Sequence, residues 1–233
     1  MPDTWVRNAV AEAVGVFALC FVGILAITGS VGDLTAIALA HGLAIAVMVA
    51  ALGHVSGGHF NPAITLGLLL GRKIDLPMAA VYWVAQLFGG LLAAIVVALA
   101  TSSRDVVAAG TPTLADDINP VQGIVLELVA TFFLVLVVYG TVVDRRAPAS
   151  VYPFAIGLTI TAGIFAIGAW TGGALNPARG FGPAVVGGEW GGTAAWLIGP
   201  LLGGIAAWAL HEYVLMPRAE PESIAESGRR DEV

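Results

Sequence analysis

The sequence predicts an all-α membrane protein with six transmembrane helices and two re-entrant half-helices, arranged as an inverted internal repeat. Three observations predict it: a charge-poor, apolar composition, six apolar stretches of spanning length, and a self-match at one fixed offset. Of 233 residues, 58% are hydrophobic and 11% charged, and the mean hydropathy is +0.90. Soluble domains carry about 25% charged residues, so a soluble globular protein is excluded. The 30 glycines and 12 prolines follow no collagen period and form no polar tract, which excludes a fibrous or disordered chain. A lone cysteine, Cys20, excludes a disulfide framework, and the histidines at 41, 54, 59 and 211 are too scattered for a zinc cage. No metal and no cofactor is expected. The net charge of −6 argues against nucleic acid, which leaves the lipid bilayer as the partner.

A helix crossing the hydrocarbon needs about 20 mostly apolar residues. Stretches 8–29, 35–54, 78–101, 120–143, 151–170 and 193–216 meet that length, whereas 62–70 and 177–187 are too short to span. The first stretch follows Arg7 as a signal peptide would, but it holds Glu12 and no clear small-residue cleavage site, so it reads as a retained span. Arg7, Arg72, Lys73, Arg145, Arg146, Arg218, Arg229 and Arg230 fall on one side and only Arg104 on the other, with Arg179 in neither tally. By the positive-inside rule both termini are cytoplasmic. The short N-terminus suits a plasma membrane. The chain then divides into a first repeat (1–103), an extracellular connecting loop (104–119), a second repeat (120–216) and a polar, disordered cytoplasmic tail (217–233).

Shifted by 115 residues, the sequence meets itself. Glu12 falls on Glu127, Phe17 on Phe132, Gly42-Leu43 on Gly157-Leu158, Ser56-Gly57-Gly58 on Thr171-Gly172-Gly173, and Asn61-Pro62-Ala63 on Asn176-Pro177-Ala178. The spacing from glutamate to asparagine is 49 in each half. With three spans per half, the second half must enter the membrane inverted. Inverted repeats place a pathway at their interface, flanked by half-helix N-termini.

The repeated residues say what that pathway favours. Asn caps a helix and Pro suits its first position. Irregular backbone at membrane depth survives only where it is buried or lines a wet cavity, so 56–61 and 171–176 should present carbonyls to water. Two half-helices then meet tip to tip at Asn61 and Asn176, each with roughly half a positive charge. Their field repels cations, and a water accepting from both amides cannot relay a proton. Glu12 and Glu127 read either as proton or cation carriers or as acceptors tying down loop N–H groups; their equal spacing to the loops favours the second.

The motifs Ser56-Gly57-Gly58-His59-Phe60-Asn61-Pro62-Ala63 and Gly172-Gly173-Ala174-Leu175-Asn176-Pro177-Ala178-Arg179 resemble those of the major intrinsic proteins, the aquaporin family, over about residues 5–216. The resemblance implies an hourglass pore in each subunit and a homotetramer; no enzymatic activity is expected, because the polar residues form no nucleophile–base pairing or ligand cluster. It also implies that the carbonyls of Gly57, Gly58, His59, Gly172, Gly173 and Ala174 line a single-file path. The family's outer selectivity filter transfers by register onto His41, Ile164, Gly173 and Arg179. That combination is similar to plant tonoplast-type aquaporins, some of which pass ammonia with water. Strict water channels have Phe and His in the first two positions. Glycerol facilitators pair two aromatics with the arginine and follow it with Asp, where Gly180 stands here. The tonoplast type adds an outer-loop histidine that residues 102–119 lack.

The expected function is passive passage of water and small neutral solutes, ammonia included, without protons or ions. A glycerol or polyol facilitator is the alternative within the family, and a proton-coupled transporter the alternative outside it. His59 is expected in the inner vestibule and His54 in a structural place at a helix end. Cys20 is expected far from the filter. The pairs Gly67/Gly71, Gly89/Gly90 and Gly203/Gly204 suit close helix packing.

Overall fold

A computed structural model describes residues 4–144, 146–148 and 150–216. The expected tail, 217–233, and Arg145, Arg218, Arg229 and Arg230 of the orientation tally lie outside the described residues. Six long helices carry the spans: α1 (Thr4–Gly29), α2 (Leu34–Ser56), α4 (Leu76–Thr101), α6 (Pro120–Val138), α7 (Tyr152–Thr171) and α9 (Thr193–Leu210). Two half-helices, α3 (Pro62–Leu70) and α8 (Pro177–Gly187), and one short helix, α5 (Arg104–Ala109), complete the set. Among the described residues there is no strand. All six spans are long and apolar enough to cross a membrane.

Most helices begin at capping residues that the sequence supplies where the chain turns. Asp33 accepts from Ala36 N–H at 3.0 Å, Asp75 from Met78 N–H at 2.8 Å, and Asn119 forms a capping box with Gln122 ahead of Pro120. Spans one and three start two to four residues earlier than hydropathy alone suggests. The connection between the two repeats also differs from a plain loop. Ser103 caps α5, and Val107 is buried where α5 lies on α8. At the opposite face α6 and α9 widen into single π-helical turns, Tyr139–Val143 and His211–Leu215. Beyond the first of these, the Arg146 guanidinium pairs with Asp144 and holds its carboxyl down to about 2.

Glycines set how closely the helices meet. In α2 and α7 the paired residues Gly42 and Gly157 pack carbonyl to Cα in both directions; a Cβ on Gly42 would sit 2.5 Å from Gly157 O. Such reciprocity is what a pseudo-twofold axis produces. Each half-helix lies against the third span of the other repeat. A Cβ on Gly90 would come within 2.6 Å of Ala178 O, and one on Gly204 within 2.6 Å of Ala63 O. Gly89 meets Ala13 as Gly203 meets Leu128. These pairs show that the offset is 115 through the half-helices but 203−89 = 114 in the third span. One residue is missing there, and Gln86 therefore matches Pro200 rather than Leu201.

Replacing Gly182, whose Cβ would overlap the Gly90 carbonyl, with Ala should lower stability by about 1–3 kcal/mol, because backbone cannot move aside. Gly29→Ala, with nothing within 4 Å, should stay within about 0.5 kcal/mol. Thermal unfolding of the detergent-solubilised protein compares the two.

Candidate functional site: a crossed asparagine pair between two cavities

The two irregular loops have the same backbone. Gly57 and Gly58 take φ values of +92° and +65°, and their partners Gly172 and Gly173 take +80° and +56°. Phe60 and Leu175, one residue ahead of each Asn, also sit at positive φ, +46° and +52°. Left-handed backbone at a bulky residue costs about 1–3 kcal/mol and persists only where the surroundings dictate it. Here the buried glutamates dictate it. Glu12 Oε1 accepts from Ser56 Oγ (2.7 Å) and His59 N–H (3.0 Å), and its Oε2 accepts from Phe60 N–H (2.7 Å) and Gln86 Nε2 (2.7 Å). Glu127 repeats the pattern with Thr171 Oγ1 (2.6 Å), Ala174 N–H (2.8 Å) and Leu175 N–H (2.8 Å). The two hydroxyls in turn accept from Gly58 and Gly173 N–H.

The left-handed turn points the Phe60 and Leu175 carbonyls at the opposite repeat. Asn61 Nδ2 donates to Leu175 O and Asn176 Nδ2 to Phe60 O, both at 2.8 Å. Each Oδ1 caps its own half-helix, at Ala63 N–H (2.9 Å) and Ala178 N–H (3.0 Å). Sequence reasoning has the two Asn amides donate to whatever lies between them. The fold instead uses one to cross-link the repeats and leaves one.

Two cavities bracket this pair. One, about 560 Å³, is lined by Gly57, Gly58, His59, Ile64, Lys73 and Tyr82 among others. The second, about 260 Å³, is lined by Ile37, Thr111, Ile164, Gly172 and Arg179 among others. No protein donor among the described residues reaches the carbonyls of Gly57, Gly58, His59, Gly172, Gly173 or Ala174. His59 Nδ1 hydrogen-bonds Thr65 Oγ1 at 3.1 Å, with its ring edge-on to Tyr82.

The four filter positions separate in this geometry. Arg179 is buried, its Nη1 donating to Gly110 O at 3.0 Å. Ile164 lies beside Gly173, where a Cβ would stand 3.1 Å from Ile164 Cγ1. His41 is 1% exposed and does not line the second cavity. Its Nδ1–H donates to Ile37 O at 2.8 Å, and Nε2 is turned onto Gly23 of α1, which has no side chain to block it. His54 is exposed at the end of α2, and Cys20 is buried against Gly90.

Several contributing residues carry no motif. Gly23 makes room for His41, Gly110 holds Arg179, and Thr65 links His59 to Gln86, whose Nε2 it accepts at 3.0 Å. Gln86 was findable as the one amide in an otherwise apolar span. In the second repeat Pro200 offers no donor, but the charge of Arg179 lies within electrostatic reach of Glu127.

The sequence profile described as Major intrinsic protein matches residues 2–211. This chain belongs to the major intrinsic protein family. It is 44% identical over 201 residues to "Probable aquaporin TIP3-2" of Oryza sativa subsp. japonica, covering 86% of this chain and 75% of the relative. It is 40% identical over 232 residues to "Aquaporin TIP4-4" of Zea mays, covering 94% and 90%. Among solved structures it resembles the aquaglyceroporin from Plasmodium falciparum, with a TM-score of 0.81 at 26% identity over 91% of this chain and 98% of that one. The protein is thus a multi-pass membrane channel of the aquaporin family, not an enzyme.

Thr171→Val strands the Gly173 N–H and leaves Glu127 one donor short. It should cost about 1–3 kcal/mol of stability, whereas Thr171→Ser should cost less than 1 kcal/mol; thermal unfolding distinguishes them.

Proposed function

We propose that this aquaporin passes water and small neutral solutes, ammonia among them, and excludes protons and other ions. It does so passively, as a homotetramer in the plasma membrane with both termini in the cytoplasm. One observation carries the reading: two half-helix N-termini converge on Asn61 and Asn176 between two cavities, each Asn keeping one amide N–H free of the cross-link. Water threading the pair accepts from both amides, so its neighbours on either side point oppositely and no proton wire forms. The aligned helix dipoles and the buried Arg179 add a positive field that opposes hydronium and ammonium. The unpaired loop carbonyls give a neutral solute a row of acceptors to step along. Ile164 and Gly173 leave one wall of the outer constriction apolar and open, which suits ammonia.

The alternative, a glycerol or polyol facilitator, draws support from the aquaglyceroporin named above. It is the weaker reading here. A Cβ on Gly180 would meet Trp196 Cδ2 at 2.5 Å, so the Asp that follows the arginine in glycerol facilitators has no room. A proton-coupled transporter would need a free carboxylate. Glu12 is saturated by four donors and Glu127 by three.

Stopped-flow light scattering of proteoliposomes should show fast water and ammonia flux and slow glycerol flux; fast glycerol with slow water reverses the ranking. Arg179→Val should let protons or larger solutes leak. His41→Phe combined with Ile164→His should stop ammonia while water continues. Unchanged selectivity in either variant removes these residues from the filter.

A further inference from the structure

Of the ten Lys and Arg residues, Arg104 stands alone against eight in the charge tally, and Arg179 belongs to neither side. The channel reading gives Arg104 no task, but the fold does. Its side chain is exposed and forms no ion pair among the described residues. Its Nε instead donates at 2.9 Å to Val186 O, in the last turn of half-helix α8. Carbonyls of a last turn have no partner within the helix, and a guanidinium there both donates to them and complements the helix dipole.

Arg104 begins α5, and the residue just past the other end of α5 is Gly110, whose carbonyl accepts from Arg179 Nη1 at 3.0 Å. Between these two ties the α5 backbone rests on α8: a Cβ on Gly187 would stand 2.5 Å from Ala108 Cα. Gly110 is itself seated on α1, where a Cβ would come within 2.7 Å of Ile24 Cγ1. The short helix is thus a splint between the end of α8 and the side chain that leaves its first turn.

Half-helix α8 needs such a splint because Pro183 lies inside it. Proline has no N–H, so the Arg179 carbonyl lacks the donor that an α-helix supplies four residues on, and the ladder is interrupted at Arg179 itself. Half-helix α3 has Leu68 at the matching position. It is held from within the bundle, where Tyr139 donates its hydroxyl to Gly67 O at 2.7 Å.

We infer that Arg104 is a positioning residue for Arg179: by fastening the start of α5 to the last turn of α8, it fixes the Gly110 carbonyl that holds the Arg179 guanidinium in the wall of the second cavity. Without that tie α5 rocks on Gly187, and the carbonyl no longer confines the guanidinium. Thr111, next in the chain, carries a buried hydroxyl without a protein partner and lines the same cavity. A shift of α5 therefore moves two polar groups of that wall together. The asparagine pair is untouched, because each Asn is tied to the opposite repeat. The loss falls on discrimination between solutes rather than on passage.

The inference rests on the reading of Arg179 as a filter residue. Glycerol and water permeabilities of the same proteoliposomes, measured by stopped-flow light scattering, test it. Arg104→Gln should raise the glycerol-to-water ratio roughly threefold or more while water flux stays within about twofold of wild type. A merely structural loss lowers both fluxes and leaves their ratio in place. Arg104→Lys, which can still donate to Val186 O, should keep the wild-type ratio. So should Asp105→Asn, which alters the charge of α5 by one unit at an exposed neighbour. Gly187→Ala, whose Cβ presses on Ala108, should raise the ratio as Arg104→Gln does. A ratio unchanged in Arg104→Gln overturns the inference, as does an equal rise in Arg104→Lys. If Arg179→Val raises the ratio while Arg104→Gln does not, only the splint falls; if neither raises it, the filter reading of Arg179 falls with it.

Discussion

The molecule depends on two carboxylates placed where a carboxylate is least welcome. Glu12 and Glu127 are fully buried in a bundle surrounded by hydrocarbon, and burying an unpaired charge there costs several kcal/mol. Each is surrounded by donors: a hydroxyl, two backbone N–H groups and, for Glu12, the Gln86 amide. In a bilayer every backbone polar group must be satisfied internally. The glutamates satisfy the N–H groups of two irregular loops, so the carbonyls of those loops remain for the pathway. They also hold Phe60 and Leu175 in left-handed backbone, which aims two carbonyls across the pseudo-twofold axis.

The asparagine pair follows from that constraint. Each Asn caps its own half-helix with its oxygen and locks onto the other repeat with one N–H. Cap and cross-link share one side chain, so the tips of α3 and α8 cannot separate without uncapping. The cap of each half-helix and the cross-link between the repeats thus have one origin. The symmetry ends outside it. Gln86 and Thr65 support the first loop, whereas Pro200, Gly180 and the nearby Arg179 replace them in the second.

The glycines explain why the repeat can close. Gly42 against Gly157, Gly90 against Ala178 and Gly204 against Ala63 bring backbone against backbone. Without a hydrophobic drive between helices in lipid, association rests on such close van der Waals packing. These contacts also let the first turns of the short half-helices, 62–65 and 177–180, bury against the other repeat.

Much of this was legible in the chain alone. Hydropathy and length placed six spans and two half-helices, because the bilayer imposes one length on every crossing element. Identical Glu-to-Asn spacing announced the inverted repeat and the anchoring role of the glutamates. Other features depend on contacts between residues far apart in sequence, which local pattern does not encode. The turn of His41 onto Gly23, the hold of Gly110 on Arg179, the missing residue in the third-span register and the Tyr139 strut under Gly67 are of that kind. Sequence determined which elements enter the membrane; the packing of two inverted halves decided which polar atoms were left to face the path between them.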